Sequence, residues 1–175
     1  MADVAHVNQA DVLQAIRNRI CEQLPHFFSD VNVYVDDQPL PSNDRVPDFM
    51  HCISVCPSDG NFEGNAPCDI REAFGIDVTV MKRDPIDQPG RLDVAFVDDE
   101  HGLIRFFKPA LMTALLIDQD PTTGSRRRWM PTTADGLEML AEDLKIVGFT
   151  SPKRVESWPM LAMTLHLNTT ILWAI

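Results

Sequence analysis

Apolar positions along this chain follow two periods that take turns. Leu13, Ile16, Ile20 and Leu24 recur at spacings of three and four, the period of one helix face. Asn8 precedes them as a cap, Asp11 stands in the acceptor place of a capping box, and Pro25 ends the run. The period then drops to two. Val31, Val33 and Val35 predict a strand in "DVNVYVDD", and a loop rich in Pro, Asp and Asn leads to a second strand, "FMHCISVCP". "SDGNFEGNAPCD" reads as a further loop. The third strand has the cleanest alternation, with Phe74, Ile76, Val78 and Val80 opposed to Asp77, Thr79 and Met81.

Beyond the loop "MKRDPIDQPGR", Leu103, Phe107, Leu111 and Leu115 return to helical spacing. Pro109 lies inside that run, where it kinks the helix or opens its second half. "DQDPTTGSRRRWMPTT" predicts a long turn with a basic tip, and the stretch around 119–135 reads as a loop insertion in a single domain spanning 1–175. Leu137, Leu140 and Leu144 predict a short helix around Asp135–Asp143, and "LKIVGF" a fourth strand. The tail alternates through Leu161, Met163, Leu165 and Leu167, and its odd positions stay apolar at Ile171, Trp173 and Ile175. This order lacks the βα alternation of a doubly wound sheet. The expected class is therefore α+β, a mainly antiparallel sheet of about five strands with two main helices packed on it.

Composition narrows the classes. With 45% apolar and 23% charged residues over 175 positions, the chain is long enough to bury a sizeable core without staples. Acidic residues outnumber basic ones 26 to 15, and the formal charge of −11 argues against non-specific nucleic-acid binding, which Lys and Arg drive by displacing counterions. The same charge suits a surface past which DNA slides without sticking. No run of 18 apolar residues predicts a membrane span, "MADVAHVNQADV" has no secretory pattern, and the four cysteines read as free thiols of a reducing cytoplasm.

Candidate chemistry is sparse. His51, Cys52, Cys56 and Cys68 invite a metal reading, but Cys52 and Cys56 on one strand lie about 13 Å apart. Two thiolates on one zinc lie within about 4.6 Å of each other, and His51 faces the other side, so buried small cysteines are expected and no metal. No nucleophile turn of the "GxSxG" kind is present. His166, on the polar face of the last strand, reads as solvated or partner-facing, and His101 as a turn residue. The acidic pairs Asp36–Asp37 and Asp98–Asp99 read as solvated loops. No enzyme and no cofactor are expected.

The segment at 81–91 has one glycine, two acidic residues and two prolines that lack N–H groups, which is the wrong chemistry for a phosphate cradle. It reads either as a turn from strand to helix or as a stiffened contact loop, with Lys82, Arg83, Asp84, Asp87 and Arg91 as candidate contacts. The one concentrated basic feature is "SRRRWM". Arg126, Arg127, Arg128 and Trp129 can stack on bases, salt-bridge to a partner or simply solvate a turn; Arg and Trp are typical interface anchors, and the overall acidity favours an acidic protein partner over DNA.

The order of these elements resembles the tail terminator and tail-completion proteins of long-tailed bacteriophages and phage-like particles. The resemblance rests on "DVLQAIRNRICEQLP" with "VNVYVDD", on "FGIDVTVMKRDPIDQPGR", on "GLIRFFKPALMTALL" and on the closing "WPMLAMTLHLNTT". It implies a structural virion protein, made in the bacterial cytoplasm, that forms a ring, usually a hexamer, on the head-proximal end of the tail. Such a ring stops tube polymerisation, meets the tail tube protein and the head-side connector, and lets DNA through without specific binding. Closed head-to-tail rings require two different surfaces on each subunit. The alternatives are a small cytoplasmic enzyme or ligand-binding domain, with a pocket between sheet and long helix, or another virion part such as a connector or tube subunit.

Overall fold

The computed structural model describes residues 8–36, 51–66, 69–83, 102–134, 136, 139–155 and 160–173. Helix α1 (Gln9–Gln23) starts at a complete capping box, in which Asn8 accepts from the Asp11 amide and Asp11 accepts from the Asn8 amide. Strands β1 (Val33–Val35), β2 (His51–Ala66) and β3 (Asp69–Arg83) follow. A π-helical turn, Leu103–Phe107, runs into α2 (Lys108–Leu116), and β4 (Ile117–Gln119) and β5 (Arg126–Arg128) form a small ribbon. The chain then enters β6 (Glu142–Arg154) and β7 (Met160–Trp173).

Five strands make one sheet in the order β1-β2-β3-β7-β6, parallel between β1 and β2 and antiparallel elsewhere, with the helices packed on one face. The class is α+β. The core lies between the two layers. Val12, Ile16 and Ile20 of α1 and Phe107, Leu111 and Leu115 meet Ile53, Val78, Val80, Met163 and Leu165 of the sheet. The predicted alternation of β3 and β7 is the one observed. Cys52, Met81 and Met160 form a smaller cluster on the opposite face, so Cys52 and His51 do point to opposite sides. Asn32 ties the start of β1 to β2, donating to the carbonyls of Phe27 (2.7 Å) and His51 (3.0 Å). Among the described residues, no helix is long and apolar enough to cross a membrane.

Three expectations are corrected. "SDGNFEGNAPCD" is not simply a loop, because β2 continues to Ala66 and pairs with β3, with register shifts between Pro57 and Gly60 and between Glu63 and Ala66. Gly60 is required by close approach rather than by a turn, since a Cβ there would stand 2.9 Å from the Cβ of Phe74. The helix expected around Asp135–Asp143 does not form over its described residues. Gly136 and Asp143 have φ of 72° and 54°, Thr132 bridges Met139, and Leu140 donates its amide to the Pro131 carbonyl. Leu140 and Leu144 are buried, Leu140 ahead of β6 and Leu144 on it, and Leu137 lies outside the described residues. The three arginines sit on β5, not at the tip, which is formed by the Asp120–Ser125 turn.

Pro109 acts through the turn before it. It stands at the start of α2, where it has no N–H to donate and its ring crowds the carbonyl four residues back. The preceding turn widens, with the Phe107 amide reaching the Gly102 carbonyl at 3.2 Å and the Lys108 amide reaching that of Leu103.

Candidate functional site

The basic segment is built from Arg19 outward. Arg19 lies on the inward face of α1 and is only 8% exposed. Its guanidinium donates to the carbonyls of Ala114 (3.1 Å) and Ile117 (2.9 Å), pairs with Asp118 at 3.2 Å, and lies 5.4 Å from the Trp129 ring centroid. It therefore satisfies carbonyls left open where α2 ends and draws the β4–β5 ribbon onto α1. Arg127 closes on the same Asp118 carboxylate at 2.8 Å. Burial alone would raise the Asp118 carboxyl, but the Arg127 hydrogen bond and the charges of Arg19 and Arg127 hold it below its usual range. Arg128 donates to the Leu144 carbonyl, and half-buried Trp129 packs against the core edge. The Arg126 side chain is exposed and makes no hydrogen bond or ion pair among the described residues, while its backbone pairs with Gln119. The four candidates thus stand together on one ribbon, with three of them engaged inside the subunit.

At the far end of β3, Lys82 is only 4% exposed, turned inward rather than out, and burial lowers its ammonium pKa. Arg83 is half-buried beside it. Asp84, Asp87 and Arg91 lie outside the described residues, as do Asp37, Cys68, Asp98, Asp99 and His101.

The polar face of the sheet carries an array that sequence reasoning missed. His166 of β7 holds Asp77 of β3 through Nδ1 at 2.7 Å and Thr150 of β6 through Nε2 at 2.8 Å. Beside it the hydroxyls of Thr79 and Thr164 lie 2.8 Å apart. Register explains the grouping, since Asp77, His166 and Gly148 are direct neighbours across three strands. A carboxylate on one ring nitrogen and a hydroxyl on the other is the arrangement of a general-base relay. Here it lies on a half-exposed sheet face. The nearby thiols are inert in character, because burial pushes Cys52 up to about 12 and Cys56 up to about 11.

Two further features stand out on the surface. Strand β6 is an edge, with β7 as its sheet partner among the described residues. It shifts register three times along that pairing and exposes Val147 (60%) and Phe149 (47%), with the Lys108 ammonium 3.3 Å from the Phe149 ring centroid. On the helical side, an open groove of about 370 Å³ runs between the end of α1 and the start of α2, lined by Leu24, Arg105, Phe106, Pro109, Ala110 and Thr113 among others.

No family model and no curated protein matches this chain. Its surfaces therefore carry the argument by themselves. The ribbon arginines and the edge strand offer side-chain contact, the groove offers an apolar seat, and the histidine array offers a grouping with the makings of proton transfer.

Proposed function

We propose that the chain is a structural subunit of a long-tailed phage or phage-like particle. It forms a ring, a hexamer by the family resemblance, that caps the head-proximal end of the tail tube, stops its polymerisation and meets the head-side connector. The observation that carries this reading is the form of β6. A long edge strand invites strand addition without limit, and bulges, lysines and prolines are the usual means of preventing it. This edge has three register shifts together with Lys145, Pro152 and Lys153, yet it exposes Val147 and Phe149. Such a subunit makes side-chain contacts that close, which suits a cap better than a tube subunit. The acidity of the chain suits a passage for DNA.

The test is the native mass in solution with negative-stain images, with and without tail tubes. Rings of about six subunits, alone or on tube ends, are the expected result. A monomer under every one of these conditions overturns the reading.

A second reading, a hydrolytic or acyl-transfer enzyme, is favoured by the Asp77–His166–Thr150 array. It predicts turnover of activated esters that Thr150→Ala abolishes; equal rates in the two proteins remove it.

A further inference from the structure

Asp77, His166 and Thr150 stand in a line across three strands, and their chemistry fixes where the protons sit. A carboxylate only accepts, so the 2.7 Å bond between Asp77 and His166 requires the hydrogen on Nδ1. In the neutral ring Nε2 then offers a lone pair, and the Thr150 hydroxyl donates to it at 2.8 Å. Thr150 thus has its proton already aimed at a base. The array is open to solvent, with the side chains of His166 39% and Asp77 28% exposed. Gly148 is the β6 neighbour of His166, and a Cβ there would stand against the ring, 3.9 Å from Cδ2.

Two lysines flank the array on its own face. β7 pairs with β3 in unbroken register, so Ala162, Thr164, His166 and Asn168 share one face. Across the β6 ladder they meet Lys153, Thr150, Gly148 and Lys145 in turn. Lys145 is therefore one row from His166, and Lys153 one row from Thr150, with rows about 7 Å apart. A lysine side chain covers that span. Both lysines are exposed, and neither ammonium has a hydrogen-bond or ion-pair partner among the described residues. Asp77 is engaged with His166, and Glu142, the other acidic group of this face on β6, lies one row beyond Lys145. In a chain with 26 acidic and 15 basic residues, two such cations beside a polarised hydroxyl reverse the local sign. They draw an anion to within reach of Thr150.

We propose that the array acts on anionic acyl esters, holding the substrate's carboxylate with Lys145 and Lys153 while its ester carbonyl meets Thr150. This inference rests on the enzymatic reading of the array and names its substrate class. Thr150 Oγ attacks the carbonyl carbon as its proton passes to His166 Nε2. The bond to the leaving oxygen breaks, and that oxygen takes the proton from Nε2. The acyl group is now an ester of Thr150. Water then gives a proton to Nε2 and attacks that ester; the proton returns to Thr150 Oγ, and the free acid leaves. Asp77 orients the ring and stabilises its charged form at each transfer. The lysines act in binding alone.

The experiment compares two activated esters of equal chain length, p-nitrophenyl hexanoate and the mono-p-nitrophenyl ester of adipic acid, which adds one carboxylate. The proteins are the full wild-type chain, Thr150→Ala, and Lys145→Gln combined with Lys153→Gln, each checked for folding by circular dichroism. Wild type should favour the adipate ester by about 2- to 5-fold in kcat/KM, the worth of one exposed ion pair, with the gain in KM rather than kcat. The double lysine variant should bring the ratio of the two esters to about one. If that variant fails to fold, wild type alone serves: at about 1 M salt, where the Debye length is about 3 Å, the preference should vanish. Thr150→Ala should turn over neither ester.

Turnover that needs Thr150 but shows no preference overturns the anionic class and leaves the enzymatic reading in place. So does a preference that survives both lysine replacement and salt. Equal rates in wild type and Thr150→Ala on both esters overturn the class and that reading together.

Discussion

Arg19 occupies a position that the spacing of α1 reserves for an apolar side chain. It follows Val12 and Ile16 on the inward face and precedes Ile20. Its hydrogen-bond partners are the carbonyls of Ala114 and Ile117 and the Asp118 carboxylate, with Glu22 at 3.8 Å as a further ion pair. Arg19→Met keeps the bulk but strips those acceptors of their donor, and should destabilise the protein by about 2–3 kcal/mol. Urea unfolding should show a lower midpoint at unchanged slope; an unchanged midpoint would remove Arg19 from the structural core. A second residue-level effect concerns alkali. With Cys52 and Cys56 pushed up to about 12 and about 11 from an ordinary 9.0, their thiols remain protonated when folded after they ionise when unfolded. Their stabilising contribution is whole below pH 9 and is lost as pH rises through the folded values. A Cys52→Ala, Cys56→Ala variant should lose less thermal stability than wild type between pH 8 and 11. The comparison cancels the opposing titration of Lys82, whose lowered pKa gains stability with rising pH. Parallel pH curves would refute it.

Among the elements, the hairpin of β2 and β3 depends on Gly60. A Cβ there would meet Phe74 at 2.9 Å and the Ala73 carbonyl oxygen at 3.0 Å, and neither is a flexible tip that swings away. Gly60→Ala should cost about 1–3 kcal/mol through overpacking, read by thermal or chemical melting; a neutral result would show that the hairpin shifts freely. The same glycine shows where reading the sequence stops. Regular alternation in β3 and β7 and the capped period of α1 made those elements plain, because each buries one face along its whole length. The outer half of β2 was hidden because Pro57 and Gly60 have turn chemistry, while the paired strand that straightens them lies later in the chain. The leucines at 137, 140 and 144 mimicked a helix, but left-handed Gly136 and Asp143 break it. The inward turn of Arg19 was not legible, since its hydrogen-bond acceptors lie 95 to 99 residues away and its pairing with Glu22, at i,i+3, fits an ordinary solvated face equally well. The His166 array was half visible: the polar faces of β3 and β7 were legible, but their register was not.

At the scale of the whole molecule, the sheet separates a face packed under the helices from one that carries the histidine array beside the small Cys52–Met81–Met160 cluster, and its long edge β6 is kept irregular. Lys145→Val with Lys153→Val restores apolar alternation to that edge without touching the core, since both residues are exposed. The variant should aggregate faster than wild type, seen as light scattering and thioflavin T fluorescence at equal concentration. If both proteins stay equally clear, the lysines do not guard the edge. If the chain is the capping subunit proposed above, it is needed only when a growing tube reaches its end, and until then copies accumulate side by side. On that reading the bulged, lysine-bearing margin of β6 is what keeps the waiting pool from pairing edge to edge, so that timing as well as shape depends on one strand.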